Sequence, residues 1–245
     1  MKVSILTVVY NGAATIRHCI ESVLKQDYSD IEYIIVDGGS TDGTQEIVQS
    51  YGSRITRFIS EPDSGIYDAM NKGIQLASGD VIGILNADDY YAFPTVISEM
   101  AQVMSSGPFD GIYGDLEYVD SHETVKRKWI SGQYEPGAFL NGWMPPHPTF
   151  FVKKEAYRNH GQFRLDLGSA ADYELMLRFV HKAGVRIGYL PKVLVKMRVG
   201  GVSNSTLKNR IAANRNDLKA WEINGLRPRF YTLWLKPLRK IWQFI

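Results

Sequence analysis

Acidic side chains recur directly after apolar, strand-like runs in the first 90 residues. Asp37 follows one such run, and Asp88 and Asp89 follow another. Because the carboxyl ends of parallel strands meet at one edge of an open α/β sheet, these side chains are expected to share a ligand site. Carboxylates repel bare phosphate, but they hold Mg²⁺ or Mn²⁺, which prefer hard oxygen ligands and can bridge to phosphate. A strand-end carboxylate can also accept a hydrogen bond from a base N–H. The pattern predicts a nucleotide site that uses a divalent cation.

The elements that must position these residues alternate between strand and helix. Apolar runs predict strands at 3–10, 33–36, 54–60 and 81–85, and helical spacing predicts helices at 14–26, 43–51 and 65–77. Short links between them favour a parallel sheet with helices on both faces. We therefore predict an α/β fold whose first half, residues 1–108, is a Rossmann-like nucleotide-binding sheet.

The pattern is less regular after residue 108. It predicts strands at 111–119 and 125–130, a Gly-, Pro- and aromatic-rich loop at 132–149, a helix at 169–183, strand pieces at 186–199 broken by Pro191, and a helix at 205–224. A smaller second half over 109–204 and a helical tail over 205–245 follow from this division.

Composition excludes several classes of protein. The chain has 245 residues, of which 44% are hydrophobic and 22% charged. These values exclude a mainly disordered chain, a collagen and a coiled coil. The single cysteine, Cys19, excludes an internal disulfide and a zinc site built from several thiolates. No apolar run approaches the roughly 20 residues that cross a bilayer. The G-x-G-x-x-G and G-x-x-x-x-G-K-[ST] phosphate motifs are also missing from the sequence.

Three motifs resemble those of the inverting glycosyltransferases of family 2, which have the GT-A fold. They are VVYNG at 8–12, VDGGSTDGT at 36–44 and NADD at 86–89. A fourth, EPDSGIYDAMNKGI at 61–74, is similar to a subgroup that builds bacterial capsule, colanic acid and other surface glycans. The resemblance covers residues 3–203. It implies transfer of a sugar from a nucleotide-diphosphate sugar to a lipid-linked saccharide. UDP-sugar is the default donor and GDP-sugar the alternative, and the second half then binds the acceptor and carries the catalytic base.

The resemblance assigns donor-binding roles to individual positions. Thr7 and Tyr10 match residues that line the donor's base, and Asp37 matches the carboxylate that reads it. Asn71 and Lys72 lie where the family approaches the base and phosphates. Many relatives have Arg where this chain has Met70, so Lys72 is the candidate cation at that point.

The resemblance also assigns the metal. Asn86-Ala87-Asp88-Asp89 corresponds to the family's DXD motif, with Asn86 in place of the first acid. Mn²⁺ or Mg²⁺ is expected to bind Asp88, Asp89 and the donor diphosphate, with Asp88 contacting both metal and donor.

The second half is expected to supply the general base that removes the acceptor hydroxyl proton. Asp172 occupies the family's base position at the opening of a helix, where most relatives read Glu-Asp and this chain reads Ala-Asp. Glu174 is the alternative base. His147 matches a position near the acceptor or the diphosphate, and Trp143 is expected to stack on a sugar ring. Residues 200–203 resemble a loop that closes over the donor.

Positive charge is concentrated at the C-terminal end of the chain. Residues 196–245 contain 11 Lys+Arg and two acids, and residues 227–245 mix basic with aromatic side chains. Such a tail suits an anionic membrane surface. The alternative is a tail that only packs on its own domain. The body has no nucleic-acid-binding motif, so no nucleic-acid partner is expected. A cytoplasmic protein held at the inner face of the plasma membrane is the expected location.

Two other functions fit parts of the sequence. A nucleotidyltransferase shares a nucleotide-binding α/β half with paired acids, but it needs a Gly-rich basic signature near the first strand, which VVYNG does not provide. A catalytically inactive nucleotide-sugar-binding module would fit the departures at Asn86, Met70 and Ala171.

Overall fold

A computed structural model describes residues 1–200, 207–239 and 243 of the chain. Its first half contains, in order, β1 (Val3–Val9), α1 (Ile16–Leu24), β2 (Ile31–Asp37), α2 (Thr44–Gln49), β3 (Arg57–Ser60), α3 (Ile66–Leu76), β4 (Val81–Ile84), β5 (Asp89–Tyr91) and α4 (Val96–Ser106). The second half contains β6 (Gly111–Val119), β7 (Val125–Trp129), β8 (Phe151–Lys153), α5 (Lys154–His160), α6 (Ala171–Met176), β9 (Ile187–Arg198), α7 (Leu207–Ile223) and α8 (Thr232–Arg239).

Within the described residues the strands form one sheet in the order β3-β2-β1-β4-β8-β6-β9-β5, with β7 paired to β6. Strands β1 to β4 pair in parallel, as the alternating pattern predicts. The sheet becomes mixed where β8 enters antiparallel between β4 and β6. The predicted nucleotide-binding half is therefore one end of a larger mixed sheet.

Two hydrophobic cores lie on opposite faces of this sheet. Every residue of β1 is buried, and its side chains alternate between the cores: Leu6 and Val8 pack toward α3, whereas Ile5 and Val9 pack toward α1. This two-sided burial is the reason that β1 is mostly apolar on both faces. It also fixes which strand-end residues reach the carboxyl edge of the sheet.

The two halves interlock through β5. This short strand follows β4 in sequence, yet it pairs antiparallel with β9 at the far end of the sheet, with Asp89 opposite Met197. The acidic residues after β4 are thus brought against the end of a strand from the second half.

Two predictions about the second half are wrong in detail. Pro191 does not break the last strand, because β9 is continuous and the β6–β9 pairing skips residues 190–192 as a bulge. The predicted helix at 169–183 is divided into a 3₁₀ segment at Leu165–Ala170, α6, and a π-helical turn at Leu177–Lys182. Of the predicted closing loop, residues 201–203 lie outside the described residues.

None of the helices in the described ranges is long and apolar enough to cross a membrane.

Candidate functional site

Asp37 holds the turn that follows β2. Its carboxylate is fully buried, and Oδ2 accepts hydrogen bonds from the backbone N–H groups of Gly39 (3.1 Å) and Ser40 (2.9 Å) and from the hydroxyl of Ser60 (2.6 Å). The Ser40 hydroxyl donates to Oδ1. These bonds occupy the carboxylate from within the protein. Asp37 therefore fixes the turn after β2, and its predicted contact with the donor's base stays a prediction.

The two β1 residues predicted to line the base have opposite environments. Tyr10 is 68% exposed at the carboxyl end of the strand, so its ring is open to a planar ligand. Thr7 is fully buried, with its hydroxyl 3.1 Å from the Tyr33 hydroxyl and 3.6 Å from Cys19 Sγ. Because Thr7 lies on the α1 side of the sheet, it has no surface that a ligand can touch.

Side-chain carboxylate and amide oxygens are concentrated directly after β4. Asp88 is partly exposed, whereas Asp89 is buried and its Oδ2 accepts a hydrogen bond from Asn86 Nδ2 (3.2 Å). Within the described part of the chain, Asp89 Oδ1 and Asn86 Oδ1 are buried without a hydrogen-bond partner. Burial, and then the charge of Asp88, raises the pKa of Asp89 well above its usual range.

This donor set fits a divalent cation that is shared with a diphosphate. Mg²⁺ typically takes one or two carboxylates and completes its shell with water and substrate phosphates. No group of three or more metal-binding side chains converges among the residues described, so a cation held here would need further oxygen ligands from outside these side chains.

Arg198 is a site residue that the sequence analysis missed. Its guanidinium lies 5.4 Å from the ring centroid of Tyr90 and 2.7 Å from His18 Nδ1, and the His18 and Tyr90 rings stack at 4.1 Å. The charge of Arg198 opposes the effect of burial on the pKa of Asp89. A fixed cation therefore stands beside the acidic residues after β4. Its only sequence signal is a basic residue just before Gly200-Gly201.

Asp172 lies in the first turn of α6 and shares its surroundings with His147 and Tyr67. Burial lowers the pKa of His147, and the nearby charge of Asp172 opposes that shift. Burial raises the pKa of Tyr67, and Asp172 raises it further. The structure thus brings together the predicted base and the predicted acceptor-side histidine, as well as a tyrosine that the sequence analysis did not name.

Tyr118 on β6 connects the two groups of acids. Burial raises the pKa of its hydroxyl, Arg127 opposes the shift, and the charges of Asp89 and Asp172 raise it further. Both carboxylates therefore lie within electrostatic range of one ring. One acid from each half of the chain thus lies near the Tyr118 side chain.

Comparison with known proteins shows which family the chain belongs to. The family model described as "Glycosyl transferase family 2" matches residues 4–165. The chain belongs to glycosyl transferase family 2. Family membership supports a glycosyltransferase that takes its sugar from a nucleotide-sugar donor.

The glycosyltransferase is similar to two mycobacterial proteins. An uncharacterized glycosyltransferase of Mycobacterium tuberculosis, Rv1514c, is 31% identical over 186 residues, which are 72% of this chain and 68% of the relative. A PGL/p-HBAD biosynthesis glycosyltransferase of the same species is 29% identical over 207 residues, 82% of this chain and 79% of the relative.

Solved structures show that the fold is GT-A. A fragment of S. aureus TarS in complex with UDP superposes with a TM-score of 0.68 at 19% identity, covering 90% of this chain and 65% of that fragment. The mannosyltransferase PcManGT from Pyrobaculum calidifontis, in complex with GDP-Man and Mn²⁺, gives 0.69 at 17% identity, covering 96% and 72%. The glycosyltransferase thus spans just under two thirds of the TarS fragment.

Two other predicted donor residues of the glycosyltransferase are engaged elsewhere. Asn71 exchanges two 2.9 Å hydrogen bonds with the backbone of Phe163, which ties α3 to the second half. Lys72 Nζ contacts Glu61 (2.8 Å) and the Pro62 carbonyl (3.0 Å). Met70 is buried in the core, so α3 offers no cation at that position. Both side chains thus have partners within the protein, and their predicted approach to the base and phosphates stays a prediction.

Packing also encloses two residues that were predicted on the acceptor side, Glu174 and Trp143. Glu174 is buried, paired with Arg178 at 2.8 Å, and accepts a 2.9 Å hydrogen bond from Asn224, so it is not an available base. Trp143 is buried, and its Nε1 donates to the Ser131 carbonyl at 2.8 Å. Its ring packs edge-on against neighbouring aromatic rings. The prediction that Trp143 stacks on a sugar is wrong for this arrangement, because no face of the ring is open.

The C-terminal helix α8 is docked on the second half with one face outward. Its inner side is fixed by Thr232 Oγ1, which donates to the Leu140 carbonyl (2.6 Å), and by Lys236, which pairs with Asp217 (2.7 Å). On and just before the helix, Phe230 and Trp234 are 91% and 73% exposed. Exposed Arg227, Arg229 and Arg239 accompany them. The tail therefore packs on its own domain and also presents a basic-aromatic face.

Proposed function

We propose that the chain is an inverting, metal-dependent glycosyltransferase that moves a sugar from a UDP-sugar, in preference to a GDP-sugar, to a lipid-linked saccharide in bacterial surface-glycan synthesis. The observation that carries the proposal is the pairing of one acid from each half around Tyr118: the candidate base Asp172 and the candidate metal-site acid Asp89 both lie within electrostatic range of its hydroxyl. An inverting transfer needs this arrangement, because the base and the leaving group must act on opposite faces of the anomeric carbon.

In this proposal Asp172 is the general base. It accepts the acceptor hydroxyl proton while that oxygen forms a bond to the anomeric carbon and the bond to the donor phosphate breaks, with its electron pair leaving on the diphosphate. His147, which lies within electrostatic range of Asp172, would orient the acceptor hydroxyl or a diphosphate oxygen. Arg198 neutralises charge that builds on the departing diphosphate.

Asp88, with the orphaned oxygens of Asn86 and Asp89, would hold Mn²⁺ or Mg²⁺. When bound, the cation would supply Lewis-acid stabilisation of the leaving diphosphate. Tyr10 would stack on the base with its exposed ring. Asp37, Asn71 and Thr7 then act by fixing the turn, helix and strand around the donor.

The basic-aromatic face of α8 supports peripheral contact with an anionic membrane, which would suit a lipid-linked acceptor. A position at the cytoplasmic face of the plasma membrane follows from that proposal. The structural neighbours do not choose the donor, because UDP and GDP-Man complexes are both represented among them.

The test separates chemistry from donor binding. Asp172→Asn removes the proton acceptor but keeps the side-chain volume, so we expect kcat to fall by about 10²–10⁴-fold while the Kd for UDP, measured by calorimetry with Mn²⁺, stays unchanged. Asp166→Asn, an exposed acid that pairs with Arg164 at the surface, is the matched control.

Unchanged turnover in Asp172→Asn would contradict the base assignment. Folded wild-type protein that binds neither UDP nor GDP, with or without Mn²⁺, would contradict the transferase proposal and favour an inactive module.

A further inference from the structure

Because the Asp37 carboxylate is buried, a different residue is needed to hydrogen-bond the base of the nucleotide-sugar donor. Four hydrogen bonds from its own turn and from β3 already occupy the Asp37 carboxylate. Tyr10 nevertheless leaves an exposed ring at the same edge of the sheet. A base stacked on that ring needs a different polar partner at its rim.

Asp63 lies directly over this edge. A Cβ added to Gly38 would be 2.5 Å from Asp63 Oδ2 and 3.4 Å from Cδ2 of the Tyr10 ring. The space above Gly38 is therefore filled by the Asp63 carboxylate, which lies next to the Tyr10 ring. Any larger residue at position 38 would force the carboxylate out of this place.

The loop between β3 and α3 fixes Asp63 in this position. Oδ1 accepts the backbone N–H of Gly65 at 2.8 Å, and the positive φ of Gly65 (112°) lets the chain turn there into α3. The same loop packs on the turn after β2, with Pro62 N 3.6 Å from the Cβ position of Gly39. Among the described residues, no hydrogen bond is directed at Oδ2. One carboxylate oxygen of Asp63 is thus held by the Gly65 N–H, and the other is available to a ligand.

We propose that Asp63 is the specificity residue for the donor's base, accepting the N3–H of uracil on Oδ2 while the uracil ring stacks on Tyr10. The proposal rests on the donor site of the proposed function and deepens it. Uracil presents one N–H between two carbonyls, which suits a carboxylate with one uncommitted oxygen. Guanine presents two adjacent donors, N1–H and N2–H, which are best met by a carboxylate with both oxygens free. Asp37 acts here as a positioning residue that keeps the turn under Asp63.

The experiment compares UDP with N3-methyl-UDP, which cannot donate at N3, by calorimetry with Mn²⁺. Wild type is expected to bind UDP at least about tenfold more tightly than the methylated nucleotide, since a hydrogen bond to a charged group carries roughly that factor or more. Asp63→Ala is expected to bind both nucleotides with equal, weakened affinity. Asp63→Asn keeps the side-chain size and the bond from Gly65, and it should show an intermediate preference. Glu61→Gln, an exposed acid in the same loop, is the control and should keep the wild-type ratio.

The affinity ratio is measured within each variant, so partial unfolding does not imitate the result. An Asp63→Ala variant that retains the wild-type preference for UDP over N3-methyl-UDP would overturn the proposal, as would a wild type that binds GDP more tightly than UDP. If the wild type itself does not bind UDP, that result would instead overturn the donor site on which the proposal rests.

Discussion

At the residue scale, what a side chain of the site can do depends on whether other groups of the protein already hydrogen-bond or pair with it. Asp37, Asn71 and Lys72 lie in recognisable motifs, yet each is engaged by the protein's own groups. A motif identifies the residue types at a strand end, but it does not show whether a carboxylate or amide is still open to a ligand. The positions of Asp88, Asp172 and Tyr10 at the ends of elements could be predicted from their motifs. Arg198 could not, because its place beside Asp89 depends on β5 pairing with β9.

Arg198 gives a direct residue-scale prediction. Arg198→Gln keeps a long polar side chain but removes the cation beside Asp89 and Tyr90. Because the lost interaction would be with the diphosphate, the Kd for UDP should rise about 10- to 100-fold, whereas the Kd for uridine should not change. Calorimetry with both ligands checks this split. Arg186→Gln, which removes a surface arginine paired with Asp110 at 2.9 Å, is the control. Equal losses for UDP and uridine would indicate that Arg198 only supports the fold.

At the element scale, the elements with strong periodicity could be predicted and the shortest ones could not. Strands β1, β2 and β4 are mostly apolar and are buried on both faces, so their hydrophobicity reveals them. Strands β5 and β8 have three residues each, which is too short to show a period. They nevertheless make the sheet mixed and join its halves. Pro191 predicts a break in the strand because an isolated strand pattern does not reveal a bulge.

The start of the sheet depends on a buried acid, Glu32 of β2. Its carboxylate accepts hydrogen bonds from the Ser4 hydroxyl (2.6 Å) and from the Ser78 backbone N–H (2.7 Å) and hydroxyl (2.6 Å), so it ties β1 and β2 to the segment before β4. Burial by itself would raise the pKa of Glu32, but these hydrogen bonds, helped by Lys2, outweigh it and lower the pKa to about 2.

A folded-state pKa below the unfolded value means that the charged form of Glu32 stabilises the fold. That contribution is fully present above the unfolded pKa of 4.5 and is lost as the pH falls toward about 2. Glu32→Gln should therefore lower the free energy of unfolding by about 2 kcal/mol at pH 7, and the gap to wild type should narrow at pH 3. Urea unfolding at pH 7 and pH 3 measures this difference in the free energy of unfolding, and Glu222→Gln, at an exposed position, is the control. A gap that stays constant between pH 7 and pH 3 would contradict the role of the charge.

At the scale of the whole molecule, charge is divided between body and tail. The first 195 residues contain 17 Lys+Arg and 24 acids, whereas residues 196–245 contain 11 and two. The structure shows in addition how α8 is attached to the body of the protein. Its Lys236 side chain pairs with Asp217. Its backbone lies so close to Gly142 that a Cβ added there would be 2.5 Å from the backbone nitrogen of Lys236. A surface that binds the outer face of α8 would therefore be held at a fixed orientation to the acceptor half.

This arrangement predicts how the whole enzyme meets a membrane. Wild type should cosediment with vesicles that contain anionic lipid and not with neutral vesicles, and salt should weaken the binding because part of it is electrostatic. The double variant Phe230→Ala/Trp234→Ala should bind anionic vesicles at least about tenfold more weakly, because two exposed aromatic side chains no longer enter the interface. Ile130→Ala/Leu165→Ala removes two apolar side chains that are comparably exposed elsewhere, 62% and 54%, and should leave binding unchanged. If the two double variants behave alike, the face on α8 does not contact membrane, and its exposed aromatic side chains would require another partner.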